Sequence, residues 1–331
     1  MTSPVILGAG SWGTALALAL GRRGVPVSLW GRNGAALDTI RETRENDRYL
    51  PGHKLPAMVE MQADLATAAR GRDFIIVAVP SAAVREVMLR VAETDQLALL
   101  PCLMAAKGLE PQTAMRPTEI GHAVLGPDAR MAALSGPNLA KELAAGFPTA
   151  TVIASRDREM AAALQHLMIS PTLRVYTGSD VIGVELAGAL KNVLAIGGGM
   201  SDGLGYRDNT KAALLTRGLA EIARLGAALG AAPATFMGLA GVGDLFATAV
   251  SRYSRNYRVG FAVGKGVPLA EALRQVAQVA EGVPTARAAM LLAERCKVEM
   301  PLFAATAAVL EGTLSPARAV EALMQRAPKP E

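Results

Sequence analysis

The chain has 331 residues, more than a single hydrophobic core usually serves, so two domains are expected. With 51% hydrophobic and 19% charged residues it is not a disordered or purely solvating chain, and its scarce aromatics favour helices over a β-sandwich. The 34 basic residues against 29 acidic give a net charge of +5, which suits small anionic ligands; the basic residues are scattered with few aromatics among them, which argues against nucleic acid as a partner.

The chain opens on the strand-like Val5-Ile6-Leu7, with no basic leader before it. No uninterrupted apolar run reaches bilayer length, so a cytoplasmic protein without an integral membrane segment is expected. Strands are predicted over 5–7, 27–30, 74–79, 97–104, 131–134, 149–154 and 173–176, with helical patterns between them, as over 13–23 and 82–92. The first strands are near-continuous apolar runs, as parallel strands covered on both faces require. This alternation predicts an α/β fold, a Rossmann-like doubly wound sheet, followed by an all-helical C-terminal domain. Helices are expected over 181–196, 210–229, 245–253, 256–265, 269–276, 285–297 and 303–310. The change of character near 178–180 divides a dinucleotide-binding domain, 1–179, from a substrate-binding domain, 180–331, whose last residues, 327–331, are expected to fray.

Gly8-Ala9-Gly10-Ser11-Trp12-Gly13 has the spacing GxGxxG directly after a strand and at the opening of a helix. In that setting the first glycine permits the tight turn, the second lets a pyrophosphate approach the backbone, and the third lets helix and strand pack closely. The second strand ends at Gly31-Arg32-Asn33, where an NAD-specific fold would place an acid. Arg32 either reads the adenosine end of the cofactor, pairing with a 2′-phosphate or stacking on adenine, or is a surface arginine.

His53, His122 and His166 have no metal-ligand neighbours, and Cys102 and Cys296 lie far apart, so no metal site and no disulfide framework are expected. A proton carrier is then sought among lysines. Lys107 follows a strand end, and Lys191 sits on a helical stripe with Ala187, Gly188 and Ala195. Those small neighbours suit either a ligand's close approach or tight helix packing with the lysine snorkelling outward. Asp244 follows Gly241-Val242-Gly243 as a candidate helix cap, and Ser254-Arg255-Asn256 opens the next helix as either a phosphate cradle or a plain turn.

The segments Gly8–Ala15 in sequence, Ala106-Lys107-Gly108-Leu109, Ser135-Gly136-Pro137, Glu185-Leu186-Ala187-Gly188-Ala189-Leu190-Lys191-Asn192-Val193, Gly238-Leu239-Ala240-Gly241-Val242-Gly243-Asp244-Leu245, Ser254-Arg255-Asn256 and Val279-Ala280-Glu281-Gly282 together resemble the bacterial NAD(P)-dependent glycerol-3-phosphate dehydrogenases. The similarity runs in order over nearly the whole chain, and the runs around Lys191 and Asp244 are its most specific parts. The resemblance implies an oxidoreductase that interconverts dihydroxyacetone phosphate and sn-glycerol 3-phosphate with NADP(H) or NAD(H), serves phospholipid synthesis and forms a homodimer. It implies that Lys191 is the proton donor and acceptor at C2, and that Lys107 meets both cofactor and substrate. It further implies that Gly136, Asn138, Asp244, Ser254, Arg255 and Asn256 surround glycerol phosphate. Ser11, Trp12, Arg32, Tyr49, Ala140, Arg255, Val279 and Glu281 would join Gly8, Gly10 and Gly13 at the cofactor. The chain departs from the family pattern at Asn138-Leu139, where Ser or Thr with Phe is usual, and at Arg207, where glycine is usual. A β-hydroxyacid or 6-phosphogluconate type dehydrogenase and a non-catalytic NADPH sensor are the other readings.

Overall fold

The computed structural model describes residues 2–276 and 278–328; of the tail expected to fray, residues 329–331 lie outside the described residues. The chain forms two compact units, one from the N-terminus to Lys107 and from Met115 to Glu185, the other from Gly108–Ala114 and from Leu186 onward.

The described residues of the first unit form ten strands: β1 Pro4–Leu7, β2 Val27–Trp30, β3 Glu45–Asn46, β4 Leu50–Lys54, β5 Val59–Gln62, β6 Phe74–Val77, β7 Cys102–Met104, β8 Met131–Ser135, β9 Thr149–Ser155 and β10 Leu173–Gly178. Eight of them form one sheet in the order β10-β9-β8-β7-β6-β1-β2-β5, while β3 and β4 make a separate hairpin. Every pair in the sheet is parallel except β8 with β9. Successive side chains point to opposite faces. Ile6 accordingly joins a core with Leu16, Leu20 and Leu164, while Val5 and Leu7 join a second core with Val84, Val87 and Ile120. Helices Ser11–Arg22 and Arg158–Met168 lie on one face, Val84–Ala92 and Pro117–Leu125 on the other, which is a doubly wound arrangement.

Three local expectations need correction. The strand expected over 97–104 begins only at Cys102: Leu97 belongs to the helical turn Asp95–Ala98, closed by its N–H on the Thr94 carbonyl, and Pro101 cannot donate to a ladder. The strand from Phe74 stops at Val77, before Pro80. The edge strand β5 escaped prediction because it has only four residues, with Glu60 exposed between buried Val59 and Met61.

In the second unit the described residues form helices and no strand. The helix Val181–Gly203 passes the expected stop at 196, because Gly197-Gly198-Gly199 is a packing surface rather than a turn. It meets the helix Arg255–Gly264 backbone to backbone. A Cβ on Gly260 would lie 2.0 Å from the Ile196 carbonyl oxygen, and one on Gly199 would lie 2.2 Å from that of Tyr257. Glu221, on Asp208–Ala228, accepts the Leu302 N–H at 3.0 Å and the Phe303 N–H at 3.3 Å, closing the N-terminus of Pro301–Leu310. Burial pushes its carboxyl above the usual value of 4.5 against the pull of those donors.

Among the described residues two segments reach membrane-spanning length at a high mean hydropathy: Val181–Gly203 at 1.4, interrupted by Glu185, Lys191 and Asp202, and Pro233–Val250 at 1.3. The first is 89% buried within the protein, as a core helix is. The second is assembled from the short pieces Pro233–Phe236, Leu239–Gly243 and Asp244–Val250, and is 39% buried. Both cysteines are free thiols; Cys102 is buried, which pushes its thiol up to about 12.

Candidate active site

The glycine-rich turn joins β1 to the helix Ser11–Arg22, and each glycine meets a different constraint. Gly8 has φ +121°, and a Cβ there would press to 2.8 Å on the Ala78 carbonyl oxygen beyond β6. This is the point where the strand order reverses, the usual ligand crevice of such sheets. A Cβ on Gly13 would fall 1.9 Å from the Gly8 carbonyl oxygen. At Gly10 a Cβ would meet nothing within 4 Å, so the space beside this glycine is open. Gly10 caps the helix without a side-chain bond, so no capping side chain takes up the N–H donors of the first turn. Open space beside positively polarised donors fits a pyrophosphate.

The β3–β4 hairpin buttresses this turn. The Asn46 amide donates to the Ala9 carbonyl at 3.0 Å and to Thr14 Oγ1 at 2.8 Å, while Ser11 Oγ donates to the Tyr49 carbonyl at 2.8 Å. The Trp12 indole N–H is buried without a hydrogen-bond partner. Ala140 opens the helix Ala140–Ala145, which packs on Ser11–Arg22. Arg32 stands just past β2 and pairs with Glu86 at 3.3 Å.

Lys107 lies a short loop beyond β7. Its Nζ donates to the Gly136 carbonyl at 2.9 Å and to Asn138 Oδ1 at 2.7 Å. The Asn138 amide nitrogen donates to Thr151 Oγ1 at 2.9 Å, and that hydroxyl donates to the Ser135 carbonyl at 2.9 Å. Asn138 therefore bridges a cation to β9, which a shorter serine would not span in the same way. Gly136, with φ +145°, could not carry a side chain: its Cβ would lie 2.9 Å from Thr151 Cα. The other departure, Arg207, has extended backbone (φ −111°, ψ −173°) at the N-cap of Asp208–Ala228, where glycine is not needed; Gly205, at φ +89°, makes the turn.

In the helical unit Lys191 is buried, 6% exposed, so it does not snorkel outward. Its ammonium donates to Asp244 Oδ1 at 2.8 Å and to Thr248 Oγ1 at 2.5 Å. Asp244 is not the cap expected for its helix: it is the first helical residue of Asp244–Val250, itself 2% exposed. A single π-turn, Leu239–Gly243, precedes it, held by the Gly243 N–H on the Gly238 carbonyl. The turn is possible because a Cβ on Gly241 would strike the Phe236 carbonyl oxygen at 1.9 Å, so only glycine fits.

Ser254 caps Arg255–Gly264 by accepting the Tyr257 N–H. Asn256 donates to Asn192 Oδ1 at 2.8 Å and accepts the Gly282 N–H at 2.9 Å. Arg255 is exposed on this unit, yet desolvation of its head group lowers its pKa below the usual guanidinium value, with Glu281 pulling the other way. A guanidinium retains its charge at neutral pH under such a shift. Glu281 precedes the helix Gly282–Cys296, and Val279, two residues earlier, is 47% exposed. His53 is half-buried, and His122 and His166 are exposed.

The structure thus gathers Lys107, Gly136 and Asn138 in one unit, and Lys191 with Asp244 and Arg255 with Glu281 in the other. Four partners were not singled out from the sequence: Asn46, Thr151, Asn192 and Thr248. Thr248 alone had a local signal, since it lies four residues after Asp244 on the same helical face. Asn192 is adjacent to Lys191, but its partner Asn256 is 64 residues away.

Family models described as NAD-dependent glycerol-3-phosphate dehydrogenase N-terminus and C-terminus match residues 4–161 and 180–321. Glycerol-3-phosphate dehydrogenase [NAD(P)+] of Dechloromonas aromatica (strain RCB) is 47% identical over 326 residues, 98% of each chain. The protein of the same description from Aromatoleum aromaticum is 47% identical over 329 residues, 98% of this chain and 99% of its own. The crystal structure of glycerol-3-phosphate dehydrogenase from Coxiella burnetii superposes with a TM-score of 0.94 at 39% identity, covering 98% of this chain and 99% of that one. D-mandelate dehydrogenase, at 12% identity and a TM-score of 0.65 over 96% of this chain and 99% of its own, shares the fold alone. With both halves matched in order, the chain belongs to the NAD-dependent glycerol-3-phosphate dehydrogenase family.

Proposed function

We propose that this protein reduces dihydroxyacetone phosphate to sn-glycerol 3-phosphate, and runs the reverse oxidation, with residues 1–179 carrying NAD(P)H and residues 180–331 the substrate. The observation that carries this reading is the buried Lys191 ammonium, ion-paired with Asp244 and hydrogen-bonded to Thr248.

When bound, a reduced nicotinamide supplies the hydride. The N-terminus of the helix Ser11–Arg22 and the open side of Gly10, with Gly8, Gly13, Ser11 and Trp12, would hold the pyrophosphate. Arg32, Tyr49, Ala140, Val279 and Glu281 would complete the coenzyme contacts, and Lys107, anchored on Gly136 and Asn138, would serve both ligands. Arg255 and the Asn256 amide, at the start of one helix with Ser254, grip the substrate's phosphate. Lys191 gives a proton to the C2 oxygen as negative charge develops there, and takes it back in the oxidation. Asp244 and Thr248 fix the amine so that this proton is delivered from one point; solvent restores it. The same chemistry would supply glycerol phosphate for phospholipid synthesis, in a cytoplasmic homodimer.

A panel of substrates with NADPH and NADH tests this. Coenzyme oxidation with dihydroxyacetone phosphate, and none with the keto forms of β-hydroxyacids or of 6-phosphogluconate, is the expected outcome. Turnover of the hydroxyacids alone would favour the rival dehydrogenase class, and coenzyme binding without turnover of any substrate would indicate a sensor.

A further inference from the structure

Arg32 occupies the exit of β2, the place where a carboxylate reads the ribose 2′-hydroxyl in NAD-specific sheets of this kind. The carboxylate is not missing from this region: it arrives from another element. Glu86 stands in the first turn of the helix Val84–Ala92, and its two oxygens lie 3.4 and 3.3 Å from Arg32 Nη1. The two side chains are 60% and 53% exposed, so the pair faces solvent, and a ligand there would meet both charges. Two features hold Glu86 in place independently of Arg32. A negative side chain in a helix's first turn is favoured by the helix dipole. One turn further on, the Arg90 guanidinium lies 5.9 Å above the Trp30 ring at the end of β2, tying this helix to the strand that presents Arg32.

We propose that Glu86 is a specificity-determining residue for the coenzyme, a conclusion that rests on the dinucleotide reading of the glycine turn. Arg32 favours a 2′-phosphate by bidentate pairing, whereas Glu86 repels that phosphate, accepts a 2′-hydroxyl and competes for the same guanidinium. A 2′-phosphomonoester brings close to two negative charges against this single carboxylate. The balance makes the protein receptive to both NADPH and NADH, and removing the carboxylate tips it towards NADPH.

The test is calorimetric titration of the full chain and of Glu86→Gln with NADPH and with NADH, at low ionic strength and without substrate. In E86Q the Kd for NADPH is expected to fall by about twofold to fivefold while that for NADH falls by less than about 1.5-fold or rises, as expected for one exposed charge pair. The gain should shrink in about 0.5 M salt, where the screening length falls to a few ångströms. An unchanged NADPH-to-NADH ratio, or equal weakening of both, overturns the role of Glu86 while leaving the dinucleotide site standing. Failure of the unmodified chain to bind either coenzyme overturns both this role and the dinucleotide reading.

Discussion

Gly10 and Gly13 look alike in the sequence but answer to different forces. Gly13 is fixed by packing against the Gly8 carbonyl, whereas Gly10 borders open space. A Gly10→Val variant should therefore keep its fold, with stability changed by no more than about 0.5 kcal/mol plus the β-branched helix-start preference, and lose at least about tenfold in NADPH affinity. Thermal melting and a coenzyme titration separate the two effects; unaltered affinity would remove the pyrophosphate from this turn. The glycine spacing was legible because its constraints are local. The fate of Lys191 was not: the same stripe of small residues allowed an outward, snorkelling side chain, and Asp244, which draws the amine inward, lies 53 residues away. Asp244 itself read as a cap because the π-turn before it leaves no periodic mark in five residues.

At the scale of elements, glycine is harder to read than it is in the turn. Gly197-Gly198-Gly199 suggested the end of a helix, yet the helix continues to Gly203, since glycine there lets two backbones touch. Gly260→Ala places a methyl group 2.0 Å from the Ile196 carbonyl oxygen and should destabilise the protein by about 1–3 kcal/mol, read by urea unfolding. A neutral result would contradict the close crossing that brings Asn256 to Asn192. Glu221 gives a pH signature. Its folded carboxyl is raised above 4.5, so it holds a proton more tightly folded than unfolded. Its contribution to stability is fully present below pH 4.5 and is lost as pH rises through the raised value. Glu221→Gln retains an oxygen for the Leu302 and Phe303 N–H groups, so its stability should fall less steeply than the parent's as pH rises above 4.5. Equal slopes in chemical unfolding from pH 4 to about 7 would contradict the burial of this carboxyl.

Over the whole molecule, the doubly wound sheet and the helical remainder were legible from alternating apolar runs and helical periods. The antiparallel β8–β9 pair was not, because a strand buried on both faces has the same composition in either direction. The short hairpin that pins Ala9 and Thr14 was also invisible, being two and five residues of mixed polarity. What unites the distant segments into a chemical proposal is the buried ion pair of Lys191 with Asp244. The direct test replaces Lys191 with alanine and follows NADPH oxidation with dihydroxyacetone phosphate. Because the change leaves Asp244 buried without its partner, at a cost of about 3–5 kcal/mol, the assay is run below the variant's own melting temperature. Turnover is expected to drop by about 10²–10⁴-fold, with the Kd for NADPH within about twofold of the parent. A folded variant that turns over at the parent's rate would contradict the assignment of Lys191 as the proton carrier.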